Sequence, residues 1–363
     1  MSTTRRSRIG LVLGATVFAA ATCEVAARMA FAAPPNPARQ PQIAYQYDPE
    51  IRYIPLPNQH GWIDDGFATT NALGFRGPNP AAPKPHDLVR VVAVGDSVTF
   101  GFGVNDDDTF CAQSERLLRA RHAGAHVEFV NLAVPGYDTR QEVTLLDRHV
   151  PDLRPDVVLV GFYSNDVPDS LEDNQSGTTV AKPAVAGQAL HMNAAPTSWW
   201  DLQMRKSRAI YTVGRALRRL THSGEWGMSR FAMELDILQG HDTPQLDAAW
   251  KRVEKQFDAL REMSVANHFS VGIVALPPKE QVVGMYPTAN YQRRLQTLAA
   301  AHGFFFVDPL PRMVATRENK DHLYIPYDRN HPTASGHRLI AETIADDPTL
   351  NELVSGRPAE IAQ

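Results

Sequence analysis

The chain has 363 residues, of which 43% are hydrophobic, enough to bury the core of one large domain or of two smaller ones. Its formal net charge of −4 provides no general basic field for attracting nucleic acid. The two cysteines, Cys23 and Cys111, are too few for a disulfide framework, and no Cys/His cluster has the spacing of zinc ligands. We therefore expect neither nucleic acid as a partner nor a metal or other cofactor.

Residues 1–33 have the pattern of an export signal. Three arginines precede the uncharged apolar run Ile9 to Cys23, and small residues surround Ala30-Phe31-Ala32. This is typical of a cleavable signal peptide. The run is also long enough for a membrane anchor when it is extended to the first prolines, provided that Glu24 and Arg28 lie near an interface.

The choice between signal peptide and membrane anchor stays open at this point, and a lipoprotein site at Cys23 is a weaker third alternative. In every case the rest of the chain lies outside the cytoplasm. The protein is then periplasmic, secreted or associated with the membrane through this segment.

Residues 34–85 are expected to form a linker and an irregular or short-stranded extension, and 86–350 the main domain. Continuous apolar runs in that domain predict buried parallel strands. These runs are Leu88–Val94, Val127–Leu132, Val157–Phe162, Phe269–Ala275 and Phe304–Val307. Amphipathic segments between and after them predict helices over 112–120, 139–149, 248–263 and 332–344. Strand alternating with helix indicates an α/β fold, a three-layer α/β/α sandwich around a five-stranded parallel sheet.

The interval 167–245 breaks this alternation and is interpreted as an insertion at the rim, while 351–363 form a C-terminal tail. Within the insertion, apolar residues at helical spacing and several arginines predict a basic helix from Met204 to Leu220. It is a candidate lid or membrane-surface helix, with an ordinary surface helix as the alternative.

Ser97 follows the first predicted strand in the segment Gly95-Asp96-Ser97. Its hydroxyl is therefore expected at the carboxyl end of a buried strand, where open α/β sheets bind ligands. Thr99 stands where the Gly-x-Ser-x-Gly elbow has its second glycine, and the Gly-Lys-Ser/Thr ending of a phosphate-binding loop is absent, which disfavours an NTPase. Taken alone, the segment also fits an ordinary turn.

Asp328 and His331 are close enough in sequence for their side chains to converge where a loop enters a helix. Pro332 suits the first position of that helix and leaves His331 at its N-terminus. A Ser hydroxyl needs a neighbouring base, and the base needs a third group to orient it. Ser97, His331 and Asp328 are therefore candidates for nucleophile, base and orienting carboxylate; the alternative is that Asp328 and His331 form only a turn and a cap.

Acyl transfer also requires donors for the developing oxyanion. Gly136 follows the second predicted strand and allows its backbone N–H to approach a ligand. Asn165 follows the third strand and offers a side-chain amide. Each is an ordinary turn residue by itself, but Ser97, Gly136 and Asn165 all follow successive strands at one edge of the sheet.

These segments resemble the four blocks of the SGNH, or GDSL-like, hydrolase superfamily, over roughly residues 90–344 apart from the insertion. The resemblance implies a flavodoxin-like sandwich with Ser97 as nucleophile, His331 as base and Asp328 as its partner. It also implies an oxyanion hole formed by the N–H groups of Ser97 and Gly136 and the amide of Asn165. The family's third block usually has Gly where Tyr163 stands, so Tyr163 is expected to narrow the site or alter the loop.

The layout of an N-terminal apolar segment followed by Asn71 to Gly77 is similar to that of envelope members of the superfamily. It implies a serine esterase acting on a small ester or an acylated glycan. A carbohydrate O-acyltransferase and a non-catalytic glycan-binding or scaffold protein are the alternatives. Trp199, Trp200 and Trp226 are candidates for stacking on sugar rings, or for ordinary packing.

Overall fold

The computed structural model describes residues 3–31, 33, 40–171, 190, 203–221, 225–326, 328 and 330–356. The chain divides into two compact units. One comprises residues 1–38 and 195–225, and the other comprises residues 39–194 and 226–363. The larger unit contains the sheet and the candidate site residues.

Two short hairpins open the larger unit. They consist of β1 (Tyr45–Asp48) with β2 (Arg52–Pro55), and of β3 (His60–Ile63) with β4 (Gly66–Thr69), each pair antiparallel. Both hairpins lie within residues 34–85, the predicted extension. Tyr53 is fully buried and its hydroxyl donates to the carbonyl of Pro135 at 2.8 Å, so the extension supports a loop at the edge of the sheet.

The main sheet has five parallel strands, β5 (Leu88–Gly95), β6 (His126–Asn131), β7 (Val157–Phe162), β8 (Ser270–Ala275) and β9 (Phe305–Val307). Their spatial order is β6-β5-β7-β8-β9. This is the flavodoxin-like order, in which the chain reverses direction across the sheet beside the first strand and leaves a crevice there. The predicted three-layer α/β/α sandwich is confirmed.

Alternation along the strands divides the core into two apolar clusters, one on each face of the sheet. On β5, Val92 and Val94 belong to one cluster, and Val89, Val91 and Ala93 belong to the other. Burial on both faces explains why the strands are continuous apolar runs in the sequence.

Helices cover both faces and connect the strands. In the larger unit they are α2 (Ser97–Phe100), α3 (Phe110–Arg121), α4 (Thr139–Leu153), α5 (Asp166–Asp169), α7 (Glu225–Gln239), α8 (Pro244–Asn267), α9 (Lys279–Val282), α10 (Asn290–Ala301), α11 (Leu310–Ala315), α12 (Ala334–Asp346) and α13 (Pro348–Ser355). The helices α1 (Thr3–Ala30) and α6 (Arg208–Thr221) belong to the smaller unit. The predicted helix 204–220 overlaps α6, which begins four residues later and ends one residue later than predicted.

The helix start nearest the candidate site differs from the sequence prediction. The last long helix does not begin at Pro332: α12 begins at Ala334, after Thr333 as N-cap. Pro332 instead pairs with Tyr324 in an isolated β-bridge, where the N–H of Thr333 donates to the carbonyl of Leu323 at 2.9 Å. Because of this pairing the helix starts two residues later than predicted, so His331 lies two residues before the N-cap and not at the helix N-terminus.

Candidate active site

Ser97 lies at the carboxyl end of β5, where it begins the one-turn helix α2. Asp96 caps this helix, because its Oδ1 accepts the N–H of Val98 at 2.8 Å. Gly95 has a φ of 156°, and a Cβ at this position would lie 2.2 Å from Oγ1 of Thr99. The close approach therefore requires glycine immediately before the Asp-Ser pair.

Thr99 explains why the nucleophile turn departs from the Gly-x-Ser-x-Gly elbow. Its Oγ1 donates to the carbonyl of Gly161 on β7 at 3.2 Å. A Cβ at Gly161 would lie 2.0 Å from the same oxygen. Gly95 and Gly161 are paired across β5 and β7, so the two glycines make room for a threonine that joins α2 to the sheet.

His331 joins Ser97 to Asp328. Its Nε2 lies 2.8 Å from Oγ of Ser97, and its Nδ1 lies 2.8 Å from Oδ2 of Asp328. The other carboxylate oxygen of Asp328 accepts the N–H groups of Asn330 at 2.8 Å and of His331 at 3.1 Å. The carboxylate is thus fixed by its own loop while it faces the imidazole.

The loop that carries His331 is tied to the end of the neighbouring strand. The hydroxyl of Tyr324, which is fully buried, donates to the carbonyl of Pro277 at 2.6 Å, just beyond β8. The N–H of Ile325 donates to the carbonyl of His331 at 2.9 Å. These bonds place the imidazole over the carboxyl edge of the sheet.

The charges of the pair favour an ionised Asp328 and a basic His331. Burial raises the pKa of Asp328, but the hydrogen bond and positive charge of His331, with the backbone N–H groups, outweigh it and lower this pKa to about 2. Burial lowers the pKa of His331, but the hydrogen bond and charge of Asp328, with the charges of Asp96 and Asp64, outweigh it and raise this pKa.

Phe102 contacts His331, although the sequence analysis did not predict it as a site residue. Its ring stacks on the imidazole of His331, with ring centroids 4.6 Å apart and an interplanar angle of 29°. The N–H of Phe102 donates to the carbonyl of Ser97 at 2.9 Å, so the ring is held by the nucleophile turn itself. The only signal in the sequence was its position in that turn.

Gly136 lies in the loop that follows β6, with a φ of 79° that favours glycine. The loop is held at the end of β5, because the N–H of Val134 donates to the carbonyl of Gly95 at 3.0 Å. Within the described part of the chain, the backbone N–H groups of Ser97 and Gly136 have no hydrogen-bond acceptor. Both remain available to a ligand oxygen.

Asn165 follows β7 and is 6% exposed, but its amide is engaged by a carboxylate. Its Nδ2 donates to Oδ2 of Asp169 at 3.1 Å. Tyr163, at 1% exposure, packs in the apolar cluster beneath the sheet with residues such as Val98 and Leu276. Its side chain is therefore buried, and the effect of Tyr163 on the site stays a prediction.

A group of buried carboxyls lies behind the nucleophile turn. Asp96, Glu142 and Asp166 are each at most 1% exposed. Burial, together with the other carboxyls, raises the pKa of Glu142 and of Asp166 well above the usual range. Neither carboxyl oxygen of Glu142 has a hydrogen-bond partner among the described residues, which fits a neutral acid. Apart from the acidic residues themselves, no sequence pattern predicts this group.

Two of the three tryptophans proposed for sugar stacking, Trp199 and Trp200, lie outside the described residues. The side chain of Trp226, at the start of α7, is also outside the described set. The proposed stacking stays a prediction.

The model of the GDSL-like lipase/acylhydrolase family matches residues 93–339. No curated protein matches the chain.

Solved structures with a similar fold include the lipase/acylhydrolase from Enterococcus faecalis, with 16% identity, coverage of 76% of this chain and 100% of that chain, and a TM-score of 0.41. An alpha/beta hydrolase enzyme from the metagenome of Lake Arreo has 17% identity, coverage of 70% and 93%, and a TM-score of 0.41. A catalytic mutant of an acetylxylan esterase from Geobacillus stearothermophilus has 16% identity, coverage of 70% and 92%, and a TM-score of 0.40.

The family match spans more than half of the chain and includes all five predicted site residues, Ser97, Gly136, Asn165, Asp328 and His331. The chain therefore belongs to the GDSL-like lipase/acylhydrolase family and is a hydrolase that acts on ester bonds.

Proposed function

We propose that this chain is a serine esterase that hydrolyses carboxylic esters through an acyl-enzyme formed on Ser97. The observation that carries the proposal is the continuous hydrogen-bonded chain from Oγ of Ser97 through His331 to Asp328, with 2.8 Å at each step. We assign the activity to the domain of residues 86–350.

In the first step, Nε2 of His331 takes the hydroxyl proton while Oγ of Ser97 attacks the ester carbonyl. Asp328 keeps the proton on Nδ1, fixes the tautomer and stabilises the imidazolium. His331 then gives its proton to the departing alcohol, which leaves the acyl group on Ser97. Water, deprotonated by His331, attacks the acyl-enzyme and releases the carboxylic acid and free Ser97.

The oxyanion of each tetrahedral intermediate needs donors placed before the reaction. We assign this role to the backbone N–H groups of Ser97 and Gly136, which have no acceptor among the described residues. Asn165 is the third predicted donor. Its amide has two N–H groups, and one of them donates to Asp169, so the other has to reach the substrate oxygen for Asn165 to act.

The substrate that we propose is an ester with a small acyl group, with acetylated glycans of the cell envelope as the preferred class. The export pattern of residues 1–33 supports an envelope location. Transfer to a sugar hydroxyl uses the same acyl-enzyme. The two reactions differ only in the group that attacks the acyl-enzyme, which is water in hydrolysis and a sugar hydroxyl in transfer.

The test is hydrolysis of nitrophenyl esters of increasing acyl length, with and without an added glycan acceptor. We expect acetate to be cleaved faster than octanoate, and free acid to form at the same rate with or without the glycan. Ser97→Ala should lose activity by a factor on the order of 10⁶, whereas Ser264→Ala, a control on α8, should retain it. Full activity in Ser97→Ala would exclude the mechanism, and acylated glycan as the main product would replace esterase by acyltransferase.

A further inference from the structure

Glu24, a carboxylate within the apolar helix α1, binds the start of α6. Its Oε2 accepts from Oγ of Ser207 at 2.6 Å and from the N–H of Ala209 at 3.1 Å. Its Oε1 accepts from the N–H of Arg208 at 3.1 Å. The first N–H groups of a helix lack partners within the helix, and a negative charge is favoured there. Glu24 therefore acts as the N-terminal cap of α6, although it belongs to another helix.

The end of α1 is bound in return by α6. Nη1 of Arg208 donates to the carbonyl of Arg28 at 2.8 Å and to that of Phe31 at 3.1 Å. The last carbonyls of a helix also lack partners within it. Each helix thus satisfies the terminus of the other. Cleavage near Ala30-Phe31-Ala32 would separate α6 from all of these partners, which favours retention of α1.

The surface of α1 is apolar and open. The span Leu11–Ala30 has 20 residues and a mean hydropathy of 1.5, and it is long enough to cross a membrane. More than half of the surface of each of several large apolar side chains is exposed: Leu11, Val12, Leu13, Val17, Phe18, Val25 and Met29. Glu24 lies six residues before the end of α1, which is about 9 Å along the helix axis. If α1 spans a membrane, the carboxylate of Glu24 and the start of α6 therefore lie nearer to the membrane surface at the C-terminal end of α1 than to the centre of the bilayer.

The charge of α6 suits an anionic lipid surface. Together, α6 and the three residues before it contain six basic residues and no acidic ones. The exposed apolar side chains of Ile210 and Val213 lie on the same helix. Basic amphipathic helices lie in the membrane interface with their apolar face inserted, and anionic lipids strengthen the binding. The arginines before Ile9 favour the cytoplasmic side for the N-terminus, which leaves α6 on the opposite side.

We propose that α1 is not cleaved and that α1 and α6 form a two-helix membrane-binding unit. In this unit α1 spans the bilayer, Glu24 fastens α6 to it, and α6 lies on an anionic lipid surface outside the cytoplasm. The proposal is independent of the chemistry at Ser97.

Retention of α1 is tested on the full chain carrying a C-terminal tag. The expected result is a protein in the membrane fraction that resists alkaline carbonate and whose intact mass includes residues 1–33, apart from the initiating methionine. A soluble protein with an N-terminus near Phe31 to Pro34 would overturn retention.

The role of Glu24 is tested by hydrogen exchange on the detergent-solubilised chain. Glu24→Ala removes the cap, so the amides of residues 208–211 should exchange about fivefold to tenfold faster than in the parent. Glu254→Ala, which removes an exposed carboxylate from α8, is the matched control and should leave these amides unchanged. Equal exchange in Glu24→Ala and the parent would overturn the fastening of α6.

The position of α6 is tested with an environment-sensitive fluorophore on Val213→Cys in a Cys23→Ala background. The Cys23→Ala protein without a new cysteine measures any labelling of the buried Cys111. A label on Glu254→Cys, an exposed position on α8, is the control for position 213. In vesicles containing phosphatidylglycerol, the label at position 213 should shift to the blue and be quenched by spin-labelled lipid; in pure phosphatidylcholine it should shift less. A water-like spectrum in both vesicles would overturn membrane contact, and equal shifts would overturn the preference for anionic lipid.

Discussion

Nε2 of His331 lies 2.8 Å from Oγ of Ser97, although 234 positions separate the two residues in the chain. The contact depends on two separate pieces of the fold. The end of β5 presents Ser97 on a short helix, and the hydroxyl of Tyr324 ties the histidine loop to the end of β8.

The pH dependence of activity reports the pKa of the general base, His331. His331 must be neutral to accept the proton of Ser97, and its pKa is raised by Asp328. We therefore expect kcat/KM to rise with pH along a limb whose midpoint lies above the usual value for histidine, about 6.5. The limb is measured with a neutral ester between pH 5 and pH 9.

Asp328→Asn removes both the charge and the tautomer control. Activity should fall by a factor on the order of 10⁴, and the midpoint of any remaining limb should move to lower pH. Asp107→Asn, at a fully exposed carboxylate, is the control and should leave the limb in place. An unchanged midpoint in Asp328→Asn would contradict the assignment of this limb to His331.

The stacking of Phe102 on His331 should affect activity more than stability. Aromatic pairs contribute about 0.5–1.5 kcal/mol beyond their buried area, so Phe102→Leu should lower kcat/KM by about threefold to tenfold. Phe102→Tyr keeps the ring and should restore most of the loss. Steady-state kinetics alongside thermal unfolding separate the two effects; equal activity in the leucine and tyrosine variants would show that the ring does not position His331.

Glu142 should make stability depend on pH. Its pKa in the folded chain is well above that in the unfolded chain, about 4.3. Between these values the folded chain binds more protons than the unfolded chain, so the free energy of unfolding falls as the pH rises. Glutamine does not ionise, so Glu142→Gln removes this fall in the free energy of unfolding. The variant should therefore become progressively more stable than the parent from pH 5 to pH 8.

Urea unfolding at several pH values measures that difference. Glu254→Gln, at an exposed carboxylate, is the matched control and should follow the parent at every pH. A difference between Glu142→Gln and the parent that does not change with pH would mean that Glu142 is ionised in the folded chain.

The fit of Thr99 between two strands can be tested by a double-mutant cycle. Gly161→Ala brings a methyl group against Oγ1 of Thr99 and should cost about 1–3 kcal/mol of unfolding free energy. Because Thr99→Ala removes that oxygen, the double variant should be less destabilised than the sum of the two single variants, by at least about 0.5 kcal/mol. Strict additivity would show that the two residues do not compete for space.

Sequence patterns were informative where local burial decides structure. Val157–Phe162 was predicted to the residue because a fully buried strand is a continuous apolar run. Ser97, Gly136 and Asn165 were placed at one edge by the same logic, since the carboxyl ends of parallel strands share an edge. The start of α12 was predicted wrongly, because the bridge between Tyr324 and Pro332 is not visible in local sequence.

Side-chain orientations at the site cannot be predicted from the sequence either, because they depend on contacts between distant segments. The amide of Asn165 turns towards Asp169, and Phe102 turns towards His331, through contacts that exist only once the loops are folded. The bond between Glu24 and Ser207 joins residues 183 positions apart. No periodicity or motif in either segment specifies such a partner.

Covalent trapping of Ser97 tests the central claim most directly. An alkyl nitrophenyl phosphonate should lose nitrophenolate and leave one phosphonyl group per chain, located on Ser97 by intact mass and peptide fragmentation, with loss of esterase activity in proportion to labelling. Ser97→Ala should take up no label, and His331→Ala should react far more slowly. Labelling of a different residue, or full esterase activity in a chain whose Ser97 is completely modified, would contradict the account.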